Sequence, residues 1–576
     1  MRRLGLISLV GIVTAVDLIV FQSSSATRLQ AQSAFAGGAA VTSSANNNLR
    51  GGPTGLVKTV LRGTVEPVDG LMVQLISHKT SIRTTVYTNE RGQFEFPKLE
   101  TGDYVLRVPR PMEFRRYEKD LVHIDGATRL PEIVMERITN DLFLPPTRDI
   151  LAQLSGAEWL ANMPGTAQEK RLFTNSCTNS CHGGDRPFMQ KFSPGDWVKI
   201  VDRMTNYSHR ILTNSSGRTD LSASAKVIAN WLGRVRNLDS EYPPIEPFPR
   251  PAGAATRAIV TEYELPYTLV HIHDVAGDAQ GNVWFNVNRS PYVGMLDPKT
   301  GKVTNYRLPE PIKPKGLVEA DVDKFTDPPG IHPGMHGLFI DKNSGYVYST
   351  GTWHRSIIRI DPKSGEMKGV VTNLTQNGNM ALHPDGKSIW RTDSGEIRKY
   401  DLPGVFETGM PSKTWKLKTV NNTYGNFMSA DGRYFGGGGG TLVWFDTQTE
   451  ELREIPLAIG GQRGRGTFDA EGNMWSGAQK LTKYDPKTGA VTQYTPPTPY
   501  YHSYSARMDK NGDLWSGQQQ GGRIGRFNPK TALWIEYVLP TPWSFDYNSF
   551  IDNSTTPPTF WYGDQHGYIV RVQPLE

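Results

Sequence analysis

The chain has 576 residues, 58 of them glycine and 40 proline, and a hydrophobic fraction of 37%, which fits several β-rich units with many turns better than one compact helical domain. Its formal net charge is only +6, with no dense Lys/Arg run, so there is no footprint of nucleic-acid binding.

The N-terminus reads as an export signal over 1–34. Arg2 and Arg3 precede the apolar run Leu4 to Val16, which Asp17 interrupts and Leu18 to Phe21 resume. Small and polar residues follow, with candidate cleavage sites at Ala26 and Ala34. A membrane anchor is the alternative, but a spanning helix needs roughly 20 apolar residues. Later stretches are too short or too polar to span, so the mature chain is expected to lie outside the cytoplasm, in the periplasm or secreted. Residues 35–55, rich in Gly, Ala, Ser and Asn, read as a flexible linker.

Residues 56–136 alternate between apolar and polar positions in short runs (VKTVLRGTV, MVQLISH, TTVYT, QFEFPKL, DYVLRVP). Turns fall between them at Asp69-Gly70, Arg91-Gly92 and Thr101-Gly102-Asp103. This pattern predicts a small antiparallel β-sandwich. The segment TNERGQFEFPKLETGDYVLRV resembles the carboxypeptidase regulatory-like (transthyretin-like) family. The resemblance implies a spacer or a protein- or carbohydrate-binding module without catalytic residues.

Residues 145–237 lose this alternation. AQEKRLFTNSCTNSCH and ASAKVIANWLGRVRN carry apolar residues three to four apart and predict helices. The chain's two cysteines, Cys177 and Cys181, lie here, followed at once by His182. One disulfide closing so small a loop adds little stability to a large protein. Two thiols on one turn with a following His instead match covalent haem attachment, the thiols forming thioethers and His182 the proximal iron ligand. The spacing has three residues between the cysteines where two are usual; a local disulfide or a chance pairing is the alternative. With GDWVKIVDRM and LSASAKVIANWL downstream, the segment resembles the single-haem cytochrome c family over about 90 residues. That resemblance implies one covalent haem c and a distal methionine, for which Met204 is the candidate. Met189 lies close to the motif, and His209 is the competitor.

Residues 238–258 form a Pro-rich linker. From Ile259 to Glu576 the chain repeats. One half of the unit is a turn followed by an aromatic (GDAQGNVWF, DAEGNMW, DKNGDLW). The other is a strand closed by a turn at Asp297, Asp361, Asp401, Asp446, Asp485 or Asn528. These positions are spaced by 64, 40, 45, 39 and 43 residues, the long gap holding an insertion at 310–330. A period near 40 with four short strands predicts propeller blades, seven by count. The last lacks one strand, which TEYELP at 261–266 is expected to supply from the other end of the domain. Six complete blades or an open stack of hairpins are the alternatives. The overall expectation is a mainly β, multidomain chain: an N-terminal sandwich, a small all-α cytochrome c-like domain and a C-terminal seven-bladed propeller over 259–576.

Blades such as TEYELP…HIHDVAGDAQGNVWF…GMLDPKTGKVTNYRLP resemble virginiamycin B lyase and related streptogramin lyase-like propellers. That family's lyase uses Mg²⁺ with late-blade His and Glu residues at inner-strand starts. Here Gly464, Tyr504 and Asn548 or Phe550 stand at the corresponding late positions, so the family's catalytic pair is not matched. The inner-strand starts collect His271, His273, His332, His336, Arg463, Arg465, His502, Tyr504 and Tyr547. Such a mouth suits an anionic or carbonyl-bearing ligand, small or polymeric, or a divalent metal held by imidazoles. The leading expectation is a haem protein passing electrons to an unknown redox partner while the propeller binds a ligand. A metal-dependent lyase and a non-catalytic scaffold are the alternatives. Repeated Trp-rich signatures of quinoproteins are not seen.

Overall fold

The structure is a computed structural model. It describes residues 50–576 apart from 62, 140, 178–182, 214–221, 267–270, 289–291, 308–334, 352–355, 373–378, 458–463 and 478–479, and only the backbone of 206–213 and 288. The expected signal segment, most of the first linker and the 310–330 insertion lie outside the described residues. Among the described residues no helix is long and apolar enough to cross a membrane.

Most of the described chain is strand. In the N-terminal part, Thr54–Leu61 pairs antiparallel with Thr64–Pro67 and Gln93–Glu95. It also pairs in parallel with Ile133–Met135, so this sheet is mixed where the alternation suggested an all-antiparallel sandwich. The parallel pairing follows from a long return of the chain, which local periodicity does not reveal. The second sheet runs Arg83–Tyr87, Met72–Ser77, Gly102–Arg107, Glu118–Ile124. Val57, Val73, Leu75, Phe94, Phe96, Leu106 and Ile133 are buried in one core with both sheets.

The C-terminal part consists of consecutive four-stranded antiparallel sheets in the manner of a β-propeller. Sheet 1 runs His271–Gly277, Val283–Asn288, Tyr292–Leu296, Val303–Arg307. Sheets 2 to 6 repeat the pattern, with first strands Met335–Ile340, Ala381–Leu382, Gly425–Met428, Gly466–Phe468 and Ala506–Met508. Sheet 7 holds Asp546–Asp552, Thr559–Asp564 and Tyr568–Pro574, and its fourth strand is Ala258–Glu264, paired from Tyr568↔Glu264 to Pro574↔Ala258. Ala258, at the end of the Pro-rich segment, is therefore already in a strand.

The repeat has a chemical cause. In sheet 1 the Asp278 carboxylate accepts from the Gln280 and Asn282 amides and from the Trp284 indole N–H at 2.9 Å. Asp469 and Asp509 hold Trp475 and Trp515 in the same way, each at 2.9 Å. One carboxylate thus closes the turn and fixes the core aromatic that follows. In the other half-unit Asp297, Asp361 and Asp485 accept from amides two residues on, an Asx-turn that ends the third strand.

The two β parts are not separate. Arg83, Thr84 and Thr85 pair antiparallel with Glu262, Thr261 and Val260. Ala258–Glu264 therefore has neighbours on both sides, and the sandwich sheet and sheet 7 make one eight-stranded sheet. This covers an edge that would otherwise offer unpaired backbone groups.

Between them the described residues form six helices: Arg148–Leu151, Gly156–Asn162, Ala167–Ser176, Asp185–Phe188, Pro194–Thr213 and Ala223–Val235. Ser155/Glu158 and Thr166/Glu169 form capping boxes, which satisfy the first free amides of their helices. Trp159, Phe173, Phe188, Trp197 and Trp231 are buried together, with Phe173 ring centroids 5.0 Å from Phe188 and 5.5 Å from Trp231.

The glycine run 436–440, to which the sequence assigned no chemistry, has a packing role. A Cβ at Gly438 would lie 2.1 Å from the Gly464 carbonyl oxygen, and one at Gly464 only 1.8 Å from that of Gly477. Sheets 4 and 5 meet backbone to backbone here. Gly464→Ala should therefore cost about 3 kcal/mol, against about 1 kcal/mol for Gly512→Ala, where φ is +87° but the space is open. Urea unfolding of the two variants measures the difference.

Candidate functional site

First strands of neighbouring sheets touch. His271–Gly277 contacts both Met335–Ile340 and Asp546–Asp552, so the first and last sheets are neighbours. Three of these strands carry a register shift near their start: between Ile272 and Val275, between Met335 and Gly337, and between Asp546 and Ser549. A bulge inserts extra residues and re-aims their side chains. The bulged residues are His273 with Asp274, His336, and Tyr547 with Asn548. All five side chains turn into one buried cluster.

Tyr424 and Tyr504 reach the cluster from segments just ahead of the first strands of sheets 4 and 6, and Arg465 from ahead of sheet 5. Arg465 and Tyr504 are fixed by the backbone. The Arg465 amide donates to the Tyr504 carbonyl at 2.9 Å, and the Ala506 amide to the Arg465 carbonyl at 3.1 Å. The His273 and His336 rings lie with centroids 3.9 Å apart. Tyr547 stacks on both His271 and His273 at 4.7 Å.

At the centre is Asp274, 1% exposed. Its carboxylate accepts from Arg465 Nη1 at 2.7 Å, Asn548 Nδ2 at 3.1 Å and the Leu338 amide at 3.1 Å. His273 Nδ1 is 2.8 Å from its other oxygen. Beyond it, the Tyr504 hydroxyl lies 3.1 Å from His273 Nε2. The Tyr504 and Tyr424 hydroxyls are hydrogen-bonded to each other, and Tyr424 is 2.9 Å from His336 Nε2. A second buried arginine, Arg507, donates to the carbonyls of Ser549 and Gly466 and to the Asn548 side chain.

The electrostatics follow. Burial disfavours the Asp274 charge, but Arg465 and then His273 outweigh it and hold the carboxyl below the usual range. Burial pushes His273 below 6.5 against the opposing pull of Asp274, which keeps the imidazole neutral at pH 7. Burial first, then Tyr424, raises Tyr504 well above 10.

Of the residues picked from sequence, His271, His273, His336, Arg465, Tyr504 and Tyr547 belong to this cluster. His332 and Arg463 lie outside the described residues. His502 is buried, its backbone bridged to Gln519. Sequence reasoning missed Asp274, Tyr424 and Arg507. Asp274 had a signal, a carboxylate inside the apolar run VHIHDVAG. Tyr424 had none, because its reach depends on the path of the chain ahead of sheet 4.

His273 has no ring nitrogen left for the expected divalent metal. Both ring nitrogens of His273 are engaged by Asp274 and Tyr504, and the Arg465 guanidinium stands beside them. Among the described residues no three His, Cys, Asp or Glu side chains converge as a metal site.

In the helical part, Cys177 is half-buried at the C-terminal end of Ala167–Ser176 and packs against the aromatic core. Cys181 and His182 lie outside the described residues. The apolar core beside Cys177 is compatible with a haem face. Met204 and Met189 are 49% and 39% exposed, so neither sits in that core. Only the backbone of His209 is described.

No protein-family model matches the sequence, and no curated protein matches it. Among solved structures the chain is similar to a catalytically inactive virginiamycin B lyase from Staphylococcus aureus with quinupristin. The identity is 17%, over 55% of this chain and 99% of that one, with a TM-score of 0.44. A streptogramin B lyase structure gives 16% identity over 56% and 100%, with a TM-score of 0.45.

Removing the Asp274 charge leaves Arg465 buried without its counter-ion, so Asp274→Asn should cost about 3–5 kcal/mol, read by chemical denaturation at pH 7. His273 adds a pH signature. The unfolded imidazole titrates near 6.5 and the folded one below it. The unfolded chain therefore binds the proton first, and stability falls as pH drops from about 6.5 toward the folded value. Besides Asp274 and Arg465, the ring is faced by His271, His336, Tyr504 and Tyr547. His273→Gln should flatten that part of the stability profile.

Proposed function

We propose that the protein is an exported c-type haem protein whose propeller binds a small ligand at its mouth, the haem passing electrons to or from a redox partner. We further read the sheets as a closed seven-bladed propeller. The contacts of sheet 1 with both sheet 2 and sheet 7, and the fourth strand of sheet 7 coming from the far end of the domain, support closure.

The observation that carries the reading is how the helical part meets the propeller. The Gly184 amide, two residues past His182, donates to Gln520 Oε1 at 3.1 Å, and the Ala157 amide donates to the Gln520 carbonyl at 3.0 Å. Gln520 lies in the loop joining the second and third strands of sheet 6. The second strand runs antiparallel to the first, so this loop emerges at the end where first strands begin. That is the end carrying His273, His336 and Tyr424. Cys177, Cys181 and His182 would hold the haem, which supplies one-electron redox chemistry when bound. The protein's own contribution is the aromatic packing beside Cys177 and the docking through Gln520.

A structural role for the sandwich is supported by its pairing with Ala258–Glu264. It closes a sheet edge, and Arg110 reaches from it to Glu158 of the helical part at 2.8 Å, both side chains buried.

Protein made in a host able to attach c-type haem should show sharp absorption bands on dithionite reduction. Haem should stay on the denatured chain in a stained gel. Cys177→Ala with Cys181→Ala should lose both signals. A colourless wild-type protein would remove the redox reading.

A further inference from the structure

The hydrogen bonds at the propeller centre form one line from four sheets: Asp274, His273, Tyr504, Tyr424, His336. Their direction is set by donor chemistry. Asp274 is held as a carboxylate, so it accepts from His273 Nδ1–H. His273 Nε2 is then an acceptor, and the Tyr504 hydroxyl must donate to it. The Tyr504 oxygen in turn receives the Tyr424 proton, and the Tyr424 oxygen accepts from His336 Nε2–H. Every proton has one consistent place. The inner members are buried, Tyr504 completely, while Tyr424 is half-buried at the mouth.

We propose that Tyr424 is an activated phenol acting as a nucleophile and acid–base group toward a carbonyl-bearing ligand at the mouth, with Tyr504, His273 and Asp274 as its positioning residues. The arrangement has the logic of a nucleophile, a base and an orienting carboxylate, with one phenol inserted as a relay. When the Tyr424 oxygen bonds to an acyl carbon, its proton passes to the Tyr504 oxygen. The Tyr504 proton moves to His273 Nε2, and the imidazolium rests against the Asp274 carboxylate. The bond from the acyl carbon to the leaving group breaks. The leaving group takes a proton from the Tyr504 hydroxyl, which recovers one from His273, so the imidazole is neutral again. Tyr504 stays neutral throughout, in keeping with the burial that raises it, and the neutral His273 is ready to accept. None of this depends on haem.

The probe is N-acetylimidazole on the full-length protein, with acetylated tyrosines quantified by peptide mass spectrometry across pH. An ordinary tyrosine reacts through its phenolate, so its rate should fall tenfold per unit below its pKa near 10. Tyr424, with an internal base, should react at a constant rate from about pH 8 down to about pH 6.5 and slow only as His273 becomes protonated. Tyr504→Phe keeps the packed ring but cuts the relay. It should slow Tyr424 about 100-fold and restore the tenfold-per-unit dependence. A wild-type Tyr424 that is unreactive, or that follows the ordinary phenolate dependence, overturns the proposal, and the wild-type profile decides this even if the variant fails to fold. A pH-independent rate surviving in Tyr504→Phe overturns it equally.

Discussion

Asp274 takes hydrogen bonds from three sheets besides its own. It stands on sheet 1, and its partners are the Leu338 amide of sheet 2, Arg465 ahead of sheet 5 and Asn548 of sheet 7. A carboxylate buried this deeply would be costly alone, since desolvation penalises the charge by several kcal/mol. The guanidinium at 2.7 Å and the two neutral donors offset that penalty. The arrangement holds only if the first strands converge on one axis. The same carboxylate fixes the His273 tautomer, and through it the polarity of the phenol chain beyond. Register at the axis, the net charge of the centre and its proton chemistry therefore rest on one group.

Backbone contact makes that convergence feasible. Gly425, Gly438 and Gly464 let sheets 4 and 5 approach without side chains between them, which brings Arg465 to the axis. The bulges at His273, His336 and Tyr547 act at the other sheets. Each breaks the strict alternation of a strand and turns inward residues that the pleat would have sent sideways. Packing at the rim follows a different rule: carboxylate turns hold tryptophans in the spaces between sheets, away from the axis.

The N-terminal parts are fastened to this frame at three kinds of joint. The sandwich adds its strand Arg83–Tyr87 to the strand that completes sheet 7. Glu262 on that strand is buried and receives Gln74 Nε2 at 3.1 Å and Thr541 Oγ1 at 2.5 Å. The helical part is tied to the sandwich by Arg110–Glu158 and to the propeller by Gln520. A buried ion pair and directed amide bonds fix orientation more than they add stability. They hold the stretch just after His182 at the end of the propeller where the histidines and Tyr424 gather.

The sequence by itself determined the repeat, its turns and the strand contributed across the chain ends. These depend on local chemistry: an Asp that accepts from amides two and four residues on, a following indole, and alternation with period two. His273, His336, Arg465 and Tyr504 could be chosen because position within a repeat predicts which residues face inward. The helices Ala167–Ser176 and Ala223–Val235 were legible from apolar spacing, and the capping boxes sit in the sequence as Ser155 with Glu158 and Thr166 with Glu169. Tertiary structure alone decided the rest. Asp274 became the centre because neighbouring sheets bring donors to it, Tyr424 joined the line through the path of a loop, and His273 lost its availability to a metal through its bonds to Asp274 and to Tyr504, 231 positions away. The parallel strand at 133–135 and the continuous eight-stranded sheet belong here too, since pairing between distant segments is chosen by which edges meet in space, and no local pattern encodes that.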